Sequence, residues 1–289
     1  MAAARRPVNG VAGLDERRIL TDCSPAALAA AVEENAVAYW RTCVPLLPGG
    51  EFHESDEMTW FASDFTSAPW FNQVMLTNAG ADDADASIDE RLAVFRERKR
   101  PMLWSVTPSS QPSDLGARLQ ARGLQLVPSV LTGMALELAE LPDPDPPAGL
   151  RIERVTDAAG LETWLRCYIN GFGMAAAAAR PFLGLYRSFG FDDDSLFRHY
   201  VGSLKGEPVA SATLFLGAGV ASIWHVGTAP AARRQGIGAA MTLASLRDAR
   251  TMGYRSGVLH ASAAGLSVYR KLGFREHGRT AQYRWSPQS

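Results

Sequence analysis

The segment 233–238 constrains the fold of this chain more than any other feature. It reads Arg-Arg-Gln-Gly-Ile-Gly and lies between an apolar run, residues 223–228, and a helical pattern that ends at Met252. A strand, a glycine loop and a helix in this order bring successive backbone N–H groups and the positive end of a helix dipole to one point. Such a turn binds anions, and glycine lets the backbone approach a phosphate closely. The pattern predicts an α/β fold with a phosphate-binding loop.

A second motif follows the loop in the chain. Residues 257–261 read as a buried strand, and residues 264–272 read as a short helix that carries Tyr269 and ends at Gly273. The chain resembles the GNAT superfamily of acyl-CoA N-acyltransferases in the order and spacing of these features. They are a strand, Arg-x-x-Gly-x-Gly, a long helix, a second strand and Tyr-x-x-x-Gly-Phe. The resemblance covers roughly residues 151–285.

The resemblance implies a cofactor site and a general acid. The residues that it assigns to the pyrophosphate of acetyl-CoA or another acyl-CoA are Arg233, Arg234, Gln235, Gly236, Ile237, Gly238 and Ala239. Val226, Gly227 and Thr228 would lend backbone groups to the pantetheine arm and the thioester. Ser262 stands where the family often has an asparagine that contacts this arm. Tyr269 matches the family's general acid, which protonates the departing thiolate.

The general base is harder to assign from the sequence. His225 is the first candidate, because histidine titrates near neutrality. The resemblance implies that Ser222 and Trp224 face the site, because they align with positions that do so in relatives. Strand alternation then puts His225 on the other face, and a β-bulge would be needed to turn it inward. His260, on the next strand, fits a base or a packed polar side chain equally well. Some relatives have glutamate where this chain has Gly257.

A proline-rich segment divides the chain. Residues 141–149 contain four prolines in six positions and predict a stiff linker. We expect a disordered leader at 1–13, a degenerate GNAT-like domain at 14–140 and a catalytic GNAT domain at 150–289. The sequence patterns of both halves predict strands and helices in a similar order. This similarity favours two tandem GNAT-like domains, each a mixed twisted sheet flanked by helices. The simpler alternative is the ordinary alternation of strands and helices in α/β proteins.

The first half differs from the second at the cofactor position. Residues 78–85 hold three aspartates, one glycine and no arginine, so a pyrophosphate would be repelled there.

Three local predictions also follow from the sequence pattern. Ser87 begins a helix through a capping box, residues 274–285 form a strand pair, and residues 175–179 form either a flexible lid or the start of a helix.

Composition narrows the function class. The net charge of −1 gives no strong field toward nucleic acid or membrane, and no apolar run has the length of a membrane span. Three widely spaced cysteines suggest neither a disulfide framework nor a metal site, which favours a reducing compartment, the cytoplasm. The N-terminus has no apolar core typical of a secretory signal.

The resemblance implies an N-acetyltransferase in which the amine attacks the thioester of acetyl-CoA directly and Tyr269 acts as acid. The acceptor would be a small-molecule or protein amine, and the protein a monomer or homodimer. Tandem members of the family include mycothiol synthase-like proteins. A non-catalytic acyl-CoA-binding or sensing protein is the alternative, and a nucleotide-binding loop ranks last because no Walker lysine is present.

Overall fold

The computed structural model describes residues 18–287, so the leader expected at 1–13 lies outside the described residues. The helices in this part of the chain are α1 Pro25–Cys43, α2 Ala84–Glu97, α3 Leu115–Ala121, α4 Ala158–Phe172, α5 Ala176–Ala179, α6 Pro181–Ser188, α7 Ile237–Thr251 and α8 Leu266–Lys271. The strands are β1 Glu51–Glu54, β2 Met58–Ala62, β3 Gln73–Thr77, β4 Met102–Val106, β5 Gln125–Leu126, β6 Leu131–Glu137, β7 Leu150–Arg154, β8 Phe197–Leu204, β9 Glu207–Gly217, β10 Val220–Thr228, β11 Ser256–Ala261 and β12 Arg275–Trp285.

The strands form one mixed sheet that runs through both halves of the chain. Its order is β1-β2-β3-β4-β12-β6-β11-β10-β9-β8-β7, with β5 paired to β12. Parallel pairs, β3 with β4 and β10 with β11, occupy corresponding positions on the two sides of the centre. The α/β architecture predicted from the sequence is confirmed.

The two halves exchange their last strands. Strand β6 of the N-terminal half (residues 18–140) pairs antiparallel with β11 of the C-terminal half (residues 150–287). Strand β12 of the C-terminal half pairs with β4 of the N-terminal half, and β12 and β6 also pair with each other. The proline-rich segment therefore separates the halves along the chain but not within the sheet.

A cleft opens where two parallel strands separate. Strands β10 and β11 pair only at Ala221 with Gly257 and at Ser222 with Val258. Beyond these positions the strands no longer pair, and each continues beside a different neighbour: β10 beside β9, β11 beside β6. The glycine loop and α7 follow directly from the open end of β10.

Two local predictions were wrong. Helix α2 begins at Ala84, three residues before Ser87, because the buried Ala84 already bonds Gly80 and the Ser87 N–H bonds Asp83 within the helix. Residues 274–285 form the single strand β12 instead of a pair, since this strand crosses from β6 to β4 without a turn. The alanine-rich segment forms the short helix α5, which leads into α6.

The hydrophobic cores also join the halves. Helix α1 contributes Val37, Tyr39 and Trp40 to a core that includes Phe197 and Phe215 from strands β8 and β9. Among residues 18–287, no helix is long and apolar enough to cross a membrane. The first helix of the N-terminal half thus forms part of the wall beside the open end of β10.

Candidate active site

The glycine loop has the backbone of an anion-binding turn. Arg234 and Gly236 both have positive φ, 65° and 79°, and Gly236 is the N-cap of α7 without any side-chain cap. The first N–H groups of α7 therefore face outward with the helix dipole behind them. A Cβ at Gly238 would meet only Val226 and Thr228, at 3.8 and 3.9 Å. Gly238 thus lies against open space in the cleft.

The two arginines of the loop have different surroundings. Arg233 donates from Nε to the Thr228 carbonyl at 3.1 Å and from a terminal nitrogen to the Gly171 carbonyl at 2.9 Å. Its guanidinium therefore ties the end of β10 to the end of α4. Arg234 is exposed and lines the cleft, whereas Gln235 is exposed and lies outside the lining.

The cleft has a volume of about 1040 Å³ and brings together nearly all the residues predicted from the sequence. Those that line it are His225, Val226, Gly227, Thr228, Arg233, Arg234, Gly236, Ile237, Gly238, Ala239, Ser262 and Tyr269. It extends from the glycine loop along the open edges of β10 and β11. This volume and length suit an elongated ligand with an anionic end.

Tyr269 lies on the far wall of the cleft, on α8. Burial raises the pKa of its phenol to about 12, and a hydrogen bond with Thr242 opposes this rise in part. The phenol therefore carries its proton at neutral pH. Ser262 is exposed at the end of β11, where its carbonyl accepts from the N–H groups of Gly265 and Leu266 at the start of α8.

A β-bulge turns His225 into the cleft. The register between β10 and β9 shifts between Trp224 and Gly227, and His225 itself has a φ of 53°. Helix α4 packs closely on the bulge, because a Cβ on Gly171 would come within 2.9 Å of the Gly227 backbone. Strand alternation alone would have placed His225 on the opposite face, so the bulge provides the change of direction that the sequence left open.

A chain of hydroxyl groups supports the imidazole of His225. Its Nδ1 lies 3.3 Å from the hydroxyl of Tyr186, which lies 2.7 Å from the hydroxyl of Tyr39. Burial among aromatic rings lowers the pKa of His225 to about 3, although one side of the imidazole lines the cleft. The imidazole is therefore neutral at physiological pH.

A second cavity of about 490 Å³ lies between the two halves. It meets the cleft at a set of shared residues, which we call the junction: Leu131, Phe172, Trp224, His225 and His260. Burial lowers the pKa of His260 to about 4, so both histidines of the junction are neutral at pH 7. Ser222 lies away from both cavities, because its hydroxyl is buried between the Phe215 carbonyl and the indole of Trp224.

Several residues around the junction gave no signal in the sequence. Tyr39 and Tyr186 belong to helices distant in the chain, and Leu131 comes from the exchanged strand β6. Glu33 of α1 lines the second cavity together with Tyr39 and Leu131. No local pattern predicts that these side chains meet.

In residues 18–287, no group of three or more histidine, cysteine, aspartate or glutamate side chains could hold a metal ion.

Comparison with known families agrees with this geometry. Residues 160–274, which include the bulge, the glycine loop, α7 and Tyr269, match the Acetyltransferase (GNAT) family. These residues form a GNAT acetyltransferase domain. The chain also resembles mycothiol acetyltransferases from Amycolatopsis mediterranei (43% identity over 72 residues) and Parafrankia sp. (37% over 68 residues). The matches cover 24% and 22% of this chain and only 24% and 21% of the two relatives.

Solved structures extend the likeness to nearly the whole chain. A GCN5-related N-acetyltransferase from Kribbella flavida superimposes with a TM-score of 0.69 at 18% identity, over 89% of this chain and 96% of that chain. A tandem GNAT protein from the clavulanic acid biosynthesis pathway superimposes with a TM-score of 0.61 at 14% identity, over 94% and 97%. The tandem GNAT fold class predicted from the sequence is thereby confirmed.

Proposed function

We propose that this protein is an N-acetyltransferase that moves the acetyl group of acetyl-CoA to a primary amine. The observation that carries the proposal is the junction, where the long cleft and the cavity between the halves meet at His225 and His260. A donor in one space and an acceptor in the other would have their reacting groups side by side. Holding both reactants in this way supplies much of the rate acceleration in transfer reactions.

The glycine loop fits the pyrophosphate of acetyl-CoA. The free N–H groups at the start of α7 and the side chain of Arg234 are its donors, and Gly238 leaves room for close approach. The unpaired edges of β10 and β11 offer backbone groups to the pantetheine amides. In the N-terminal half, Asp85 occupies the start of the corresponding helix, α2, and pairs with Arg118 at 3.0 Å. This arrangement supports binding of the cofactor by the C-terminal half alone.

The transfer needs one proton to leave the amine and one to reach the sulfur. As the amine nitrogen bonds to the acetyl carbon, a backbone N–H near Val226 holds the carbonyl oxygen, and the carbon–sulfur bond then breaks. Tyr269 protonates the departing thiolate and recovers its proton from solvent. Its raised pKa supports this role, because the phenol holds its proton until the thiolate forms.

The role of His225 follows from its low pKa. A neutral imidazole accepts a hydrogen bond from the attacking amine, while its pKa of about 3 makes it a poor store for the released proton. We place the proton of the imidazole on Nδ1, where it is donated to Tyr186, so that the other ring nitrogen is free for the amine. His225 then orients the amine, and the proton passes to solvent through the open side of the cleft.

The similar proteins do not determine which amine this protein would acetylate. Two of them are named mycothiol acetyltransferases, which supports acetyl transfer in general. The matched stretches span about a quarter of those proteins, too little to transfer their substrate. The second cavity favours a small-molecule amine over a protein amine, because its volume of about 490 Å³ suits a small ligand and its lining comes from both halves of the chain.

Release of free CoA thiol, measured with a panel of primary amines, tests the proposal, and mass spectrometry then identifies the amide product. The Tyr269→Phe variant should bind acetyl-CoA as tightly as the wild type and lose about 10- to 100-fold in kcat. Tight binding of acetyl-CoA without transfer to any amine would instead indicate a non-catalytic acyl-CoA sensor.

A further inference from the structure

The cavity between the halves has walls of different chemistry. One face of α1 supplies Glu33, Ala36, Val37 and Trp40, at the spacing of consecutive helical turns. Opposite this helix stand the aromatic side chains of the C-terminal half, Tyr168, Phe172, Phe182 and Trp224. Most of the cavity surface is therefore flat and apolar, which suits an aromatic or bulky hydrocarbon group.

The polar residues of the cavity lie along one strip of the sheet. They are Gln73, Ser105, Thr107, Thr280 and Gln282, from β3, β4 with the turn after it, and β12. Ser105 faces Gln282 across the β4–β12 pair, so their side chains share a face. All five are uncharged. This strip offers a few hydrogen bonds to a ligand but too few for a polyhydroxylated one.

Glu33 is the sole acidic or basic side chain, apart from the two neutral histidines, among the residues that line the cavity. Its carboxylate accepts hydrogen bonds from the Thr107 hydroxyl at 3.1 Å and from the Ser109 N–H at 3.3 Å, and also from the Ser109 hydroxyl. These donors fix the position of the carboxylate. The cavity therefore has a fixed negative charge and no lysine or arginine to neutralise an anion.

We propose that the acceptor is an amine with an aromatic or bulky apolar body and no anionic group, because Glu33 disfavours acceptors that carry a negative charge. This inference rests on the proposed acetyl transfer and defines its substrate class. A carboxylate or phosphate on the acceptor would meet Glu33 in a mostly apolar cavity whose lining offers no counter-charge. An aminosugar would leave hydroxyl groups against the aromatic wall without partners.

Matched pairs of amines test the substrate class. Tryptamine and tryptophan differ only in the carboxylate, as do phenethylamine and phenylalanine, and glucosamine represents a polar acceptor. We expect kcat/KM to be at least about 10-fold higher for tryptamine than for tryptophan. The α-amine of tryptophan is less basic than the amine of tryptamine, so more of it is in the reactive neutral form at a given pH. This difference favours tryptophan and therefore opposes the expected preference.

Variants of two adjacent residues locate the cause of the preference. Glu33→Gln keeps the shape and the hydrogen-bond acceptor but removes the charge, and should reduce the tryptamine-to-tryptophan ratio by about 10-fold. Glu34→Gln is the matched control: Glu34 pairs with Arg41 at 3.1 Å and does not line the cavity, so the ratio should not change.

Two results would overturn the inference while leaving acetyl transfer intact: turnover of tryptophan or glucosamine equal to that of tryptamine, or an unchanged ratio in Glu33→Gln. If acetyl-CoA binds and no amine is acetylated, the proposed function fails instead. Calorimetric binding of tryptamine and tryptophan to the CoA-bound protein then decides the preference of the cavity without any turnover, and equal affinity would contradict it.

Discussion

The hydroxyl of Tyr186 lies 3.3 Å from Nδ1 of His225. Tyr186 belongs to the C-terminal half, and it links this histidine of the junction to the N-terminal half of the chain. Tyr186 in turn contacts Tyr39 of α1 at 2.7 Å. The N-terminal half therefore does more than cover a hydrophobic face. It completes the support of the imidazole, supplies one wall of the cavity between the halves and contributes Leu131 to the junction.

Tyr186→Phe should lower kcat by about 10-fold and leave the KM for acetyl-CoA unchanged, because the imidazole loses the partner that selects its tautomer. Tyr283→Phe is the control, since Tyr283 is a buried tyrosine on β12 that lines neither the cleft nor the cavity between the halves. Steady-state kinetics with a saturating amine measure the effect. Equal losses in both variants would indicate a general packing effect and contradict the proposed support.

Gly238→Ala should raise the KM for acetyl-CoA by about 10-fold or more without lowering Tm. The new methyl group finds open space on the protein side, 3.8 and 3.9 Å from its nearest neighbours, and would stand where the pyrophosphate approaches. Gly184→Ala on α6 is the matched control, because its Cβ would meet no atom within 4 Å. Tight binding of acetyl-CoA by Gly238→Ala would show that the loop does not hold the phosphates.

The stability of the protein should fall steeply in mild acid. Burial lowers the folded pKa of His199 and His225 to about 3 and that of His260 to about 4, whereas an unfolded histidine titrates near 6.5. The unfolded chain therefore binds more protons than the folded chain below about pH 6.5. The free energy of unfolding is highest above this pH and decreases as the pH drops toward 4, by up to about 4 kcal/mol per pH unit.

Urea denaturation between pH 7.5 and 4.5 measures this dependence. His53→Gln serves as the control, because His53 is exposed and stacks on Trp60 at the surface. This variant should show the same slope as the wild type. A free energy of unfolding that stays constant from pH 7 to pH 5 would mean that the three histidines are not buried in neutral form.

The strand exchange predicts that the C-terminal half does not fold alone. A fragment of residues 141–289 would lack β6. Six residues of β11 pair with β6 in the full chain, so the fragment would expose this edge of β11. We expect this fragment to aggregate and co-expression with residues 1–140 to restore a folded complex. A monomeric, folded fragment that binds acetyl-CoA would contradict the shared sheet.

The sequence predicted the parts of the site that depend on local patterns. The glycine loop, α7, α8 and Tyr269 lie within one short stretch, where strand, turn and helix signals are strong, and the structure places them along one cleft. The apolar run 223–228 also located β10 to within a few residues.

The remaining features depend on contacts between distant segments. The bulge that turns His225 inward requires α4 to pack against Gly227, which no pattern in residues 220–228 records. The exchange of β6 and β12 depends on pairing across more than a hundred residues. The cavity between the halves results from both, so its lining could not be predicted from the sequence.

The central claim is that an acetyl group passes from acetyl-CoA in the cleft to an amine in the cavity between the halves. The most direct measurement is mass-spectrometric detection of N-acetyltryptamine after incubation of the full chain with acetyl-CoA and tryptamine, in parallel with Tyr269→Phe. We predict time-dependent product with the wild type and a rate about 10- to 100-fold lower with the variant. Absence of any acetylated amine across the panel, with acetyl-CoA bound, would contradict the account.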